Sequence, residues 1–543
     1  MSQARKSLIV SNEGEKNDVE TGTIVAGTEI TKSLVSYPGS GTAQDPYVVD
    51  WDKGDPEDPY NWSPRRKWAI TLQLAFSTFT VSFCSSSYTG GLASIERDLH
   101  ISEELAILGV SLYVLGFGLG PLTFAPLGEA FGRRPVFLTT FTIFLLFHLG
   151  GALCQNVQTL LICRLFAGIF GSSPLTNASG SLADIWVAKD RGVASALYST
   201  APFMGPIIGP IAGGWIVQTK LGWRFNFWLM MMVSGFALTI GFLATPETFA
   251  PALLRKRAHK LQRAAGGQVY FTSKFDIQRS RSLGDILKLN LIRPFQFLAT
   301  EPIVLLMAIY IAITYAILYS FFAAFPIVFQ QHRGFTPGEG GLAFLGVGLG
   351  ILIGTSLAPV NNKLYWRAMD RSPTGKAPPE ARLYFPMVGA FLLPIGLFWF
   401  AWTTQPTIHF IVPILAGIPT GTGTAFIMQG LVQYIMDTYT IYCASAIAST
   451  VLLRSVLAAI FPLISPPMFR RLGDQWALSI WAFLAVACMP LPALFFKYGS
   501  WVRSKSKYAR NDGMPLAAVP PQNRPMREKM SHPRASDMAG NMV

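Results

Sequence analysis

The chain is predicted to be an all-α polytopic membrane protein, with twelve transmembrane helices in two six-helix halves. Three observations predict this. Of its 543 residues, 51% are hydrophobic and only 14% are charged, where a soluble domain carries roughly 25% charge. Twelve apolar stretches approach or exceed the ~20 residues that cross hydrocarbon. One long polar connection divides them six and six, the layout of two structural repeats.

The first six stretches are Trp68–Gly90, Leu105–Leu127, Val136–Leu153, Thr159–Leu182, Val193–Val217 and Phe225–Ala244. The second six are Pro302–Phe325, Gly341–Val360, Leu383–Trp402, Ile408–Gly430, Ile441–Leu463 and Ala477–Phe496. The domain plan follows: 1–64 a disordered tail, 65–244 the first half, 245–301 a basic linker, 302–497 the second half, and 498–543 a second tail. An even number of crossings puts both termini on one side. Arg65–Lys67, Arg133 and Arg134, Lys189 and Arg191, the linker's basic run, Lys363–Arg382 and Lys497–Lys507 all fall on that side. By the positive-inside rule it is cytoplasmic. Plasma-membrane residence is expected, and the Asn61-Trp62-Ser63 sequon is expected to go unused.

The net charge of +14 does not indicate nucleic acid, because the basic residues sit in loops that set topology. No apolar core follows Met1, so no secretory signal peptide is expected. The five cysteines lack framework or metal spacing and read as small core residues. In the linker, Leu253, Leu254, Ala258 and Leu261 alternate with basic residues. That pattern fits an amphipathic helix on the inner membrane surface, or equally a linker whose charges only enforce topology.

Three local patterns carry the functional reading. Gly205, Gly209 and Gly213 recur every four residues and make one smooth helix face. Pro206 and Pro210 bend that helix, and Gly214 extends the run. Glu129, the Gly132 turn, and Arg133 and Arg134 form a carboxylate–arginine clamp between the second and third stretches. Finally, Arg164 and Arg454 lie inside apolar helices, where an arginine faces a cavity or a partner. Arg164 lies near enough to its helix end to snorkel. Arg454 reads either as a ligand for substrate or a carbonyl, or as a structural clamp.

Pro121-Leu122 through Gly128-Glu129-Ala130-Phe131-Gly132-Arg133-Arg134-Pro135 resembles the loop signature of the major facilitator superfamily. Its form is similar to that of the fungal drug:proton antiporters with twelve spans. Arg164-Leu165-Phe166-Ala167-Gly168, Ala183-Asp184-Ile185-Trp186, the Gly-Pro run, Trp223-Arg224-Phe225-Asn226, Pro246-Glu247-Thr248-Phe249 and Arg454-Ser455 extend the resemblance over about Trp51 to Tyr498.

The resemblance implies a major facilitator fold and a secondary exporter of drugs, toxins or secondary metabolites, run by proton antiport. An organic acid or polyamine transporter on the same fold, exporter or importer, is the alternative. It also implies proton-coupling and conformational roles for Arg164, Glu129, Gly132, Arg133, Arg134, Asp184 and the Gly-Pro run. The residues themselves supply no mid-membrane carboxylate: Glu129, Asp184, Glu301 and Asp437 all lie near span ends. In this superfamily spans 1, 4, 7 and 10 line the substrate cavity. The candidates there are Ser86, Tyr88, Asn177, Tyr315, Tyr319, Gln429 and Gln433, with Arg454 nearby. Such a lining suits bulky amphipathic molecules. The expected partners are a small-molecule substrate, the proton gradient and the lipid bilayer. The chain is expected to be a monomer with no catalytic residues, metal or cofactor. No phosphate-binding Gly-x-x-x-x-Gly-Lys-Ser/Thr loop suggests ATP use.

Overall fold

A computed structural model describes residues 37–187, 191–267, 269–277, 283–372, 377–439, 442–506 and 508–509. The first half comprises α1 (Pro64–Ser87), α2 (Glu103–Phe131), α3 (Arg133–Ala152), α4 (Val157–Ile185), α5 (Arg191–Val217) and α6 (Arg224–Ala244). In the second half come α7 (Pro302–Phe325), α8 (Pro337–Asp370, interrupted twice), α9 (Tyr384–Trp402) and α10 (Ile411–Thr438).

The last helical stretch, Cys443–Lys505, is 63 residues long. At about 1.5 Å per residue it would reach roughly 95 Å, three times the hydrocarbon thickness. It therefore crosses twice. Gly473 breaks it with φ 74° and ψ 165°, leaving α11 (443–472) and α12 (474–505). Only glycine takes that backbone conformation without strain.

Local chemistry sets the helix ends. Ser102 accepts from the Leu105 amide at 3.4 Å and caps α2, with Glu103 and Glu104 in its positive first turn. Asn156 accepts from the Thr159 amide at 2.8 Å and caps α4. Thr336 and Glu339 form a reciprocal capping box at the start of α8. At the other end of α2, Gly132 turns the chain at φ 104°.

Tyr60, which meets Ala183 at the end of α4, and Ser506, which meets Glu301 before α7, mark one face of the bundle, termed here the terminal face; the opposite face is distal. The stretch expected as part of a disordered tail is folded from Tyr37 onward. Its strand β1 (Tyr47–Val49) pairs in parallel with β2 (Phe271–Ser273) from the central linker. Tyr37, Val49 and Phe271 bury Leu254 and Ala258 of the linker helix Ala250–Ala264. The apolar face of that helix therefore covers protein, not lipid. Arg257 pairs with Asp55 at 2.5 Å, and Arg255 donates to the Ala130 carbonyl at the end of α2. Tyr60 donates to the Ala183 carbonyl of α4, and Lys67 donates to the Tyr60 carbonyl. A second linker helix, Leu283–Thr300, bridges α2 and α11 at the terminal face.

Candidate functional site

At the centre of the first half, Arg164 is completely buried. Its Nε donates to the Gly109 carbonyl at 3.0 Å, Nη1 to Cys84 at 2.8 Å and Nη2 to Ser85 at 2.8 Å. Cys84 and Ser85 lie in the last turn of α1, where carbonyls lack helical partners and the dipole is negative. Arg164 thus caps α1 from α4. Its guanidinium also lies over the rings of Tyr88 and Tyr113, at 4.6 and 4.2 Å. Tyr88 turns its hydroxyl to the Ala106 carbonyl. It serves this cluster and does not line a cavity. Ser86 is similarly occupied: it donates to the Gly205 carbonyl at 3.0 Å and packs between α1 and α5.

A second polar chain joins the halves. Ser85 Oγ and Tyr319 Oη are 3.2 Å apart, and Tyr315 donates to Tyr319 at 3.3 Å. The Arg454 guanidinium lies 5.0 Å over the Tyr315 ring. Arg454 Nε is buried without a hydrogen-bond partner among the described residues. On the facing side, the Tyr198 hydroxyl of α5 donates to the Leu175 carbonyl of α4 at 3.1 Å and lies within electrostatic reach of Arg454. Thus Tyr315, Tyr319 and Arg454 converge, whereas Ser86, Tyr88, Asn177, Gln429 and Gln433 lie elsewhere.

The Gly-Pro run of α5 has two working faces. Gly205, Gly209 and Gly213 lie directly on the α1 backbone at Ser82–Ser87, within the same half. A methyl group at Gly209 would overlap Ser86, and one at Gly213 would overlap the Ser87 carbonyl. The contact between halves uses the adjacent face. Gly214 meets Pro337, Pro210 and Ile211 meet Gly341, and Ile207 meets Gly348. This contact seals the distal face. Glu103 and Glu104 add ion pairs to Arg470 at 3.6 and 2.6 Å. Midway, Gly118 of α2 abuts Ser455 of α11. Phe321, Phe322 and Phe325 pack against Phe344 and Phe400 inside the second half.

At the terminal face each half carries its own arginine clamp. Arg133 Nε lies 3.6 Å from Asp184, and its Nη1 donates to Asn177 at 3.4 Å. The Arg133 and Arg134 amides donate to Glu247 at 3.0 and 3.1 Å. Glu247 also accepts from the Thr248 and Phe249 amides. Glu129, the carboxylate expected in this clamp, is exposed; the carboxylates present are Asp184 and Glu247. Glu247 was visible in sequence only as part of a motif, with nothing to pair it with a loop 114 residues away. A Cβ at Gly132 would overlap Glu247.

The second half repeats the device. Arg382 donates to Asp437 at 2.8 Å, to Gln433 at 3.3 Å and to Asn362 at 3.4 Å, and it stacks 3.5 Å over Tyr365. Gln433 therefore belongs to this clamp. Gln429 donates to Thr355 on α8 at 3.2 Å. Both clamps stay within their own halves, and α4 makes no extensive contact with α10.

The Major Facilitator Superfamily family model matches residues 74–462. A multidrug transporter of that superfamily, mdrA of Aspergillus fumigatus, is 47% identical over 486 residues, covering 88% of this chain and 79% of the relative. The efflux pump MFS2 of Trichophyton rubrum is 46% identical, covering 88% and 80%. The efflux pump FUB11 of Gibberella moniliformis is 43% identical, covering 88% and 81%. Among solved structures, the proton:xylose symporter XylE bound to 6-bromo-6-deoxy-D-glucose shares the fold. It aligns with a TM-score of 0.57 and 17% identity, over 80% of this chain and 96% of XylE.

Proposed function

Because the chain belongs to the Major Facilitator Superfamily, we propose that it is a secondary exporter of amphipathic small molecules, driven by proton antiport at the plasma membrane. Its terminal face is cytoplasmic. The observation that carries this reading is the asymmetry about the centre. The halves meet through Gly214–Pro337 and Pro210–Gly341 at the distal face, while α4 and α10 make no extensive contact among the described residues. Substrate enters the polar and aromatic centre from the cytoplasm. The halves then rock about α2–α11, and the distal contact opens. In the role proposed for them, Gly132, Arg133, Arg134 and Asp184 hold the terminal ends of α2–α4 as one rigid piece, and the Gly-Pro run lets α5 pivot against α8. The names of the relatives, a multidrug transporter and two efflux pumps, support export over import.

Of the alternatives, a polyamine carrier fits least, because α1, α5, α7 and α11 contribute no carboxylate to the centre. An organic acid carrier fits Arg454. The test is dye and drug uptake into inside-out vesicles with an imposed pH gradient. Exporter-dependent accumulation that a protonophore abolishes is the expected result. Accumulation indifferent to the gradient would remove proton antiport from the reading.

A further inference from the structure

The two membrane-embedded arginines differ in one respect. Arg164 spends its guanidinium on three carbonyls. Arg454 keeps a buried Nε without a partner among the described residues. It sits about 16 Å along α11 from Cys443, near the middle of the bilayer. Among the described residues no carboxylate neutralises it, since α1, α5, α7 and α11 contain no Asp or Glu between their ends. Around it stand the Tyr315 ring and, within reach of its charge, the Tyr198 and Tyr319 hydroxyls. An arginine at membrane depth with no ion-pair partner is expensive to keep. A ligand that brings the missing negative charge recovers that cost on binding. A guanidinium fork matches a carboxylate in particular.

We propose that Arg454 is the anchor for an acidic group on the substrate, so that the transported molecule is an amphipathic organic anion. The carboxylate, or an equally acidic enol, lies on the free edge of the Arg454 guanidinium. The apolar body rests on the Tyr315 side. This deepens the exporter reading and rests on it for the direction of movement. It also gives a reason for the uncharged lining elsewhere: a second protein charge at the centre would compete with the substrate for Arg454.

The test compares acids with their uncharged twins: naphthalene-2-carboxylate, decanoate and 2-hydroxyoctanoate, each against its primary amide. Binding to the purified full-length protein and transport into inside-out vesicles are both measured. The wild type is expected to bind at least one acid about tenfold more tightly than its amide. Arg454→Gln should bring acid and amide affinities to within about twofold of each other, and Arg454→Lys should restore part of the preference. Equal binding of acids and amides, or equal loss of both in Arg454→Gln, overturns the proposal. A neutral dye separates the two readings. Dye export without acid preference leaves the exporter standing and removes the anion site. Arg454-dependent acid binding without transport of acid or dye keeps the site and removes the exporter.

Discussion

The two arginines make opposite predictions for stability and activity. Arg164→Ala removes three buried hydrogen bonds, to the carbonyls of residues 84, 85 and 109. At about 1 kcal/mol for each lost bond, the loss should reach ~3 kcal/mol. It should appear as a clear drop in the detergent melting temperature together with lost transport. Lysine cannot reach all three acceptors, so Arg164→Lys should recover only a part. Arg454→Ala removes a group with no hydrogen bond to lose and should melt within about 1 kcal/mol of the wild type. Its transport of acids should nevertheless fail. A large fall in melting temperature for Arg454→Ala would recast that residue as a structural clamp. Reading the sequence alone, both residues are an arginine in an apolar helix. Only the neighbours, contributed by α1 and α2 in one case and by α5 and α7 in the other, distinguish a satisfied cation from an open one.

Among the elements, the Gly-Pro helix serves two partners, and substitution should separate them. Gly209→Val drives a side chain into the α1 backbone within one half. Overpacking of this kind costs about 1–3 kcal/mol, so folded yield and melting temperature should both fall. Gly214→Val collides with Pro337 across the halves. That variant should keep its fold but loosen the distal seal, measured as faster modification of a Gln330→Cys probe from outside intact cells. The folded N-terminal segment permits a pH prediction. Burial alone would raise the Asp55 carboxyl, but the Arg257 hydrogen bond and the Glu57 amide outweigh it and hold it below its ordinary 3.8. A depressed carboxylate contributes its full stabilisation above the ordinary value and loses it as pH falls through the depressed one. Limited proteolysis of residues 37–58 should therefore be constant from about pH 5 to 8 and rise only below about pH 4. Asp55→Asn should expose the segment across the whole range. Protection that fades near neutrality would sink this account.

Taken as a whole, the protein is a pair of halves joined distally, at α2–α11 and through the Ser85–Tyr319 contact. In a cysteine-less background, Tyr198→Cys beside Arg454 should react with a membrane-impermeant maleimide in inside-out vesicles. Phe322→Cys, buried against Phe344 in the second half, should not. A substrate gradient that drives outward opening should slow the first reaction. Reaction of Tyr198→Cys from the outside of intact resting cells would reverse the assigned orientation. The paired clamps make the two-repeat plan concrete. Arg133 with Asp184 and Asn177, and Arg382 with Asp437 and Gln433, occupy matching corners of the two halves. Residue identity between the halves is too faint to reveal that correspondence along the chain.

What the sequence determined by itself is whatever the bilayer demands locally. A crossing needs about twenty contiguous apolar residues and no stray charge, so spans, halves and the chemistry of the fold class are written in consecutive letters. The break at Gly473 was legible for the same reason, because Leu463 and Ala477 end and begin separate apolar runs. The tertiary structure decided every pairing between distant segments. It replaced Glu129 with Glu247 in the clamp. It moved Asn177 and Gln433 from a cavity to the two clamps. It chose α1 as the partner of the glycine face. It also folded residues beyond Tyr37 onto the linker helix through a strand partner over two hundred positions away. Each of these depends on which side chains meet across helices, and a periodicity along one helix carries no record of the partner it will face.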